Sequence, residues 1–224
     1  MPPYRFDFNV IWANYGVLLI GLAHTLEFTV VCILLGSTWG FLLALIRRSS
    51  FRPASILSAT YVEFFRGTPV LVQLFWIFFC LPLILRVDLS NLACSIIALT
   101  LYMGAIASES FRAALNAIPK EQLDASHALG LPAYQRIRYV ILPQALLLSI
   151  PNLLSNGISL FKESALVSAV GMVDLMYLAR SLSNVTARPL EILTAAAVTY
   201  FIVAFPVTRL VTWLERRIRG RMAG

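Results

Sequence analysis

YGVLLIGLAHTLEFTVVCILLGSTWGFLLALI, residues 15–46, decides the class of this chain, because only His24 and Glu27 in it can carry a charge. About 20 apolar helical residues cross a hydrocarbon core roughly 30 Å thick. The run exceeds that length, and it is too long for the apolar core of a signal peptide, about 7–15 residues. It is therefore expected to stay in the mature protein as a first span. Four further apolar segments follow, at 57–85, 92–115, 140–168 and 191–214. The 224 residues are 59% hydrophobic and 13% charged, whereas a soluble domain is about a quarter charged. The chain reads as an all-α membrane protein, one domain over residues 1–224, with five transmembrane helices, no internal repeat and no soluble domain.

The 18 basic residues fix an orientation. Arg47, Arg48, Arg52, Arg112, Lys120, Arg136, Arg138, Arg216, Arg217, Arg219 and Arg221 fall on one side of the five spans. Arg5, Arg86, Arg180 and Arg188 fall on the other. Arg66, Lys162 and Arg209 lie in or at the edge of spans. Basic residues accumulate in cytoplasmic loops, so the N-terminus is expected outside and the C-terminus in the cytoplasm. Residues 170–190 then lie outside, where a short helix could rest on an external partner. The positive charge is divided among membrane flanks, which argues for a lipid bilayer and against nucleic acid as its counterpart. Cys32, Cys80 and Cys94 sit in apolar runs without a C-x-x-C pair and read as buried thiols. The two histidines lack the spacing of a metal site, and none is expected.

One connection is unusual. Between the third and fourth spans, over residues 117–140, runs the polar stretch that includes IPKEQLDASHALG. Pro119 suits a first helical turn, Glu121 and Asp124 suit the positive end of the helix dipole, and Gly130 suits a left-handed cap. Pro132 then starts a second helix that leads into the fourth span. A helix-turn-helix this short cannot cross a membrane. It is either a solvated loop or a docking element with an apolar side for a soluble partner.

Asp124-Ala125-Ser126, then Gly130, Ile137 and Leu142-Pro143, resembles the cytoplasmic EAA loop of binding-protein-dependent ABC importer permeases. Asp124 stands where Glu is usual, and Ser126 replaces the second Ala. Tyr61-Val-Glu-Phe-Phe-Arg-Gly-Thr-Pro-Val-Leu-Val-Gln73 resembles the FRGTP stretch of the polar amino-acid branch of that family. Ser108-Glu109-Ser110-Phe111-Arg112 and Phe161-Lys162-Glu163-Ser164-Ala165-Leu166 are similar to further stretches of it. The resemblance implies a type I ABC importer-like fold in a bacterial inner membrane. It implies three partners: an ATP-binding cassette subunit, a second permease subunit (identical or paralogous) and an extracytoplasmic amino acid-binding protein. The loop would couple to the ATPase through Asp124, Ala125, Ser126, Ala128, Leu129, Gly130, Leu131 and Arg136. Ala128, Leu129 and Leu131 would make the apolar contact, and Asp124 and Arg136 would hold the loop's shape.

No cofactor is expected on this chain. A Walker A loop places Gly before its Lys, whereas Lys120 follows Pro and Lys162 follows Phe. ATP and Mg would be handled by the partner ATPase, and this chain is expected to be a transport subunit with no catalytic residues.

Charges within spans cost about 2.5–3.5 kcal/mol each and need a reason. Glu63–Arg66 and Glu109–Arg112 have the i,i+3 spacing of ion pairs. His24–Glu27 has it too, and reads as a polar contact to a neighbouring span. Lys162 and Glu163 are adjacent, so they point about 100° apart and do not neutralise one another. A zwitterionic amino acid needs both signs close together. The substrate-binding candidates are therefore Lys162, Glu163, Ser164, Thr68, Gln73, Glu109 and Arg66. Lys162 would meet the carboxylate, and Glu163 or Glu109 the ammonium or a basic side chain. The alternative for Lys162 is a bridge to another span or to the partner subunit. Pro69 disfavours helix at Thr68, so the second span is expected to break there. The competing functions are a permease half for another small polar solute, an exporter, and an intramembrane enzyme. The last lacks a converging set of catalytic groups.

Overall fold

The computed structural model describes residues 4–49 and 51–222, and among these every regular element is a helix. The elements are α1 (Asn9–Arg47), α2 (Arg52–Gly67), α3 (Val70–Phe75), α4 (Leu81–Leu85), α5 (Asn91–Asn116), α6 (Lys120–Ala128), α7 (Ala133–Gln135), α8 (Leu142–Glu163), α9 (Leu175–Thr186) and α10 (Pro189–Met222). A π-helical turn, Trp76–Cys80, joins α3 to α4, and a second, Arg136–Ile141, joins α7 to α8. A 3-10 segment, Ser164–Val170, continues α8. Four stretches are long and apolar enough to cross a membrane: Asn9–Arg47, Asn91–Asn116, Ala133–Val170 and Pro189–Arg217. A fifth is Arg52–Gly67 with Val70–Leu85, if that interrupted pair is one span.

The interruption falls at Thr68 and Pro69. Thr68 (φ −114°, ψ 145°) and Pro69 (φ −63°, ψ 135°) are both extended. Proline has no N–H to donate, and its ring drives the preceding residue out of the helical region. The Thr68 hydroxyl donates to Phe64 O at 2.9 Å, which satisfies a carbonyl near the helix end.

Two compact units divide the chain. One comprises Met1–Ile33, Pro69–Leu99 and Ile158–Val207, the other Leu34–Thr68, Thr100–Gly157 and Thr208–Gly224. The first is centred on Leu18, Leu175, Ala179, Ile192 and Ala196, with Leu22, Leu182 and Tyr200 against them. Its turns are held by buried polar groups. Asp174 caps α9 by accepting from Tyr177 N at 2.7 Å. The Thr25 hydroxyl accepts from Leu175 N at 3.0 Å and donates to Gly21 O at 2.9 Å. Glu191, at the start of α10, accepts from the Tyr4 hydroxyl at 2.5 Å and from Asp7 N at 3.0 Å. Arg188 lies 3.4 Å from the same carboxylate and donates to Arg5 O at 2.6 Å. The segment before α1 is thus pinned to the start of α10.

In the second unit α1 and α5 pack backbone to backbone. A Cβ on Gly40 would lie 2.6 Å from Gly104 O and from the Ala107 methyl, so only glycine permits this approach. The Tyr61 hydroxyl donates to Leu101 O at 2.8 Å and accepts from the Trp39 indole at 3.1 Å. Across both units the lipid-like exposure is extensive: Leu19, Ile20, Leu34, Leu35, Phe201 and Ile202 all stand open on α1 and α10. Such apolar surface needs a bilayer or a partner to cover it. The cysteines form no disulfide; Cys32 and Cys94 are buried and Cys80 is half-buried.

Candidate functional site

The polar connection folds as a capped helical hairpin. Pro119, extended, precedes α6, and α6 ends in a left-handed Gly130 with φ 66°. Leu131 N donates to Ser126 O at 3.2 Å and Gly130 N to His127 O at 2.9 Å. These two bonds are a Schellman motif, which satisfies the last carbonyls of the helix and turns the chain sharply. The Arg136 guanidinium then reaches back to the His127 ring at 2.8 Å, and Gln144 meets Gln122 at 3.5 Å. Ser126 is buried, with its hydroxyl donating to Leu123 O at 2.6 Å.

The inward side of this hairpin is therefore Leu123, Ser126 and Leu131, half-buried or buried. The outward side carries Asp124, Ala125, Ala128 and Gly130, with Leu129 at 77% exposure. Tyr134, Ile137 and Tyr139 extend that outward apolar surface. Of Asp124 and Arg136, the two residues expected to hold the loop's shape, Arg136 contacts the His127 ring. Asp124 makes no hydrogen bond or ion pair among the described residues. His127 was legible only as a spare imidazole, because its partner lies beyond the turn.

The charged positions within spans separate into two groups. In the second unit Glu109 receives Arg47 in a short, direct contact, Arg112 at 2.6 Å, and Arg66 at 3.9 Å. The Glu109–Arg112 pair is as its spacing indicates. Glu63–Arg66 is not formed: Arg66 lies toward Glu109, and Glu63 is exposed. One carboxylate facing three guanidiniums beats an i,i+3 pair in open surroundings, because it is less exposed to solvent. Three cations already surround Glu109, so little of its field is left for a substrate ammonium. Thr68 in the same unit has spent its hydroxyl on Phe64 O.

In the first unit α3, which carries the buried Gln73, packs against the Ser164–Val170 segment. Ser164 is buried and its hydroxyl donates to Phe161 O at 2.8 Å. Glu163 is half-buried. Lys162 is exposed and makes no hydrogen bond or ion pair among the described residues. Gln73, Lys162, Glu163 and Ser164 thus belong to one unit, and Arg66, Thr68 and Glu109 to the other.

Residues 14–220 match the family described as binding-protein-dependent transport system inner membrane component. The chain is 32% identical over 221 residues to the glutamate/aspartate import permease protein GltK of Escherichia coli O6:H1, covering 96% of this chain and 99% of that one. It is 34% identical over 214 residues to the arginine transport system permease protein ArtQ of Bacillus subtilis, with 96% and 98% covered. The putative glutamine transport system permease protein GlnP of Rickettsia conorii is 33% identical, with 88% and 91% covered. A crystal structure of an amino acid ABC transporter with histidines superimposes with a TM-score of 0.90 at 31% identity, over 96% of this chain and all of that one. An inward-facing structure of the MetNI methionine ABC transporter shares the fold, with a TM-score of 0.75 at 22% identity. The all-helical fold is thus that of a type I importer permease, and the chain belongs to the binding-protein-dependent transport system inner membrane components.

Proposed function

We propose that this chain is the permease subunit of an ATP-driven amino acid importer. It forms the translocation pathway with a second permease subunit and alternates between outward-open and inward-open states. An extracytoplasmic binding protein delivers the substrate. A separate ATP-binding cassette subunit hydrolyses ATP with Mg and drives the cycle through the Lys120–Gln135 hairpin. The N-terminus is outside and the C-terminus in the cytoplasm of the inner membrane. The relatives named for glutamate/aspartate, arginine and glutamine transport support an amino acid as cargo.

The observation that carries the coupling role is Leu129, a large apolar residue held 77% exposed at the tip of a hairpin whose cap and Arg136–His127 contact keep it rigid. Leu129 does not stand singly, since Tyr134, Ile137 and Tyr139 are exposed along the same connection. An apolar patch of this kind suits a helix that enters a cleft of a soluble partner. The motor must be another chain, since neither lysine here follows a glycine. Lys162, exposed and unpaired among the described residues, is the best-placed group for a substrate carboxylate.

Leu129→Cys, in a background lacking Cys32, Cys80 and Cys94, tests the coupling role. A short bifunctional crosslinker should capture the ATPase from that position and not from Val185→Cys on α9. Failure to capture it in assembled membranes would overturn the coupling role. An exporter half is the alternative, and uptake that needs no binding protein would favour it.

A further inference from the structure

Within the first unit, α1, the start of α5 and the turn after Val170 enclose a cavity of about 650 Å³. Its α1 wall is His24, Glu27, Phe28 and Val31, the i, i+3, i+4, i+7 stripe of one helix face. Its α5 wall begins at Ser90 and Asn91 and continues to Leu92 and Ile96. Each wall passes from polar to apolar along the chain. The two helices run parallel, with Gly36 against Met103 and Gly40 against Ala107. The polar residues therefore share one end of the cavity and the aliphatic ones the other.

The polar end lies at the start of α5. Asn91 follows the polar turn at Arg86–Ser90, and its side-chain amide donates to Val170 O at 2.9 Å, where the chain leaves the 3-10 segment for the Gly171 turn. His24 and Glu27 are exposed and make no hydrogen bond or ion pair among the described residues. A carboxylate and an imidazole thus stand open above an apolar pocket whose volume is in the range of small-ligand sites.

We propose that this cavity binds a glycerophospholipid whose headgroup ends in a primary ammonium. The Glu27 carboxylate accepts from the ammonium. The His24 ring N–H and the second hydrogen of the Asn91 amide donate to the phosphate. One acyl chain starts along Phe28, Val31, Leu92 and Ile96. An anionic lipid would place its net charge against Glu27, and a choline headgroup offers no N–H to donate. The site prefers ammonium lipids for those two reasons.

The permease–ATPase complex, reconstituted in equal mixtures of dioleoyl phosphatidylethanolamine, phosphatidylcholine and phosphatidylglycerol, is stripped gently and its retained lipid quantified by native mass spectrometry. Phosphatidylethanolamine should be enriched by about fivefold, the effect of one partly exposed charge pair. Glu27→Gln should erase the preference while leaving lipid bound. Leu92→Trp, which fills the apolar end, should reduce retention of all three lipids. Equal retention in the wild type overturns the proposal. So does a preference that survives Glu27→Gln, or a photocrosslinker at Leu92 that captures protein and no lipid. If Glu27→Gln fails to assemble, the Leu92 variant and the wild-type lipid ratios still decide the matter.

Discussion

Lys162 stands in the last turn of α8 with its ammonium open, inside the apolar Ala133–Val170 stretch. An unpaired cation there is costly unless something of opposite charge visits it. Lys162→Ala should raise the apparent KM for amino acid uptake by about tenfold or more, the weight of one charge-assisted hydrogen bond. Assembly with the ATPase should be unchanged. Uptake at wild-type affinity in that variant would remove Lys162 from the pathway. Glu109 gives the opposite expectation. It is held by Arg47, Arg66 and Arg112, so Glu109→Gln should lower thermal stability by on the order of 1–3 kcal/mol and leave KM unmoved. A raised KM with unchanged melting would reverse that assignment. The Glu109–Arg112 spacing was readable in the sequence. The partners Arg47 and Arg66 were not, because they come from segments far away in the chain.

Asp174, on the connection between two spans, shows a residue whose surroundings set its chemistry. Burial pushes its carboxyl up to about 6 from an ordinary 3.8, against the opposing hydrogen bonds from Tyr177 and Met176. The folded state therefore holds the proton more tightly than the unfolded one. Its stabilising effect is fully present below about pH 4 and is lost as pH rises through about 6. Compared with Asp174→Asn, the wild type should gain on the order of 1–3 kcal/mol in going from pH 7 to pH 4. The difference in melting temperature between the two proteins, followed across that range in nanodiscs, measures it. A constant difference would mean that the carboxyl titrates normally.

At the scale of elements, the spans were legible because a membrane demands long apolar helices and tolerates few charges. The break at Thr68–Pro69 was legible because proline forbids what precedes it. The π-helical turns at Trp76–Cys80 and Arg136–Ile141 were hidden, since nothing in their composition distinguishes them from the α-helices they join. Gly130 is the element whose reading survived in most detail. Its φ of 66° is that of the left-handed cap, yet a Cβ there would meet nothing within 4 Å. Gly130→Asp then costs this chain only the backbone strain, on the order of 1 kcal/mol, and the variant should insert and fold. What it adds is a carboxylate on the outward face beside Leu129. Uptake should fall below detection, and the loaded binding protein should no longer stimulate ATP hydrolysis. Uptake within about twofold of wild type, well under the effect of a charge buried unpaired at an interface, would show that the hairpin tip touches nothing.

For the whole molecule, 18 basic residues against 11 acidic ones say little about fold and much about orientation. The arginines beside the Lys120–Gln135 hairpin and in the last turns of α10 share one predicted side, while Arg5, Arg86, Arg180 and Arg188 share the other. Orientation follows such a bias when it lies in short loops near the spans, as it does here. Two positions report it cleanly. Val185 is 83% exposed near the end of α9, and Leu129 is 77% exposed at the hairpin tip. In a background without the three native cysteines, a membrane-impermeant maleimide should label Val185→Cys in intact cells stripped of their outer envelope. It should reach Leu129→Cys only after the inner membrane is permeabilised. The reverse pattern would put the hairpin on the side where no ATP is available, and the coupling role would fall with the orientation. Labelling of both positions without permeabilisation would mean that an even number of segments crosses between them. The interrupted Arg52–Gly67 and Val70–Leu85 pair lies outside that interval, so such a result would point to the Ala133–Val170 segment as the one that fails to span.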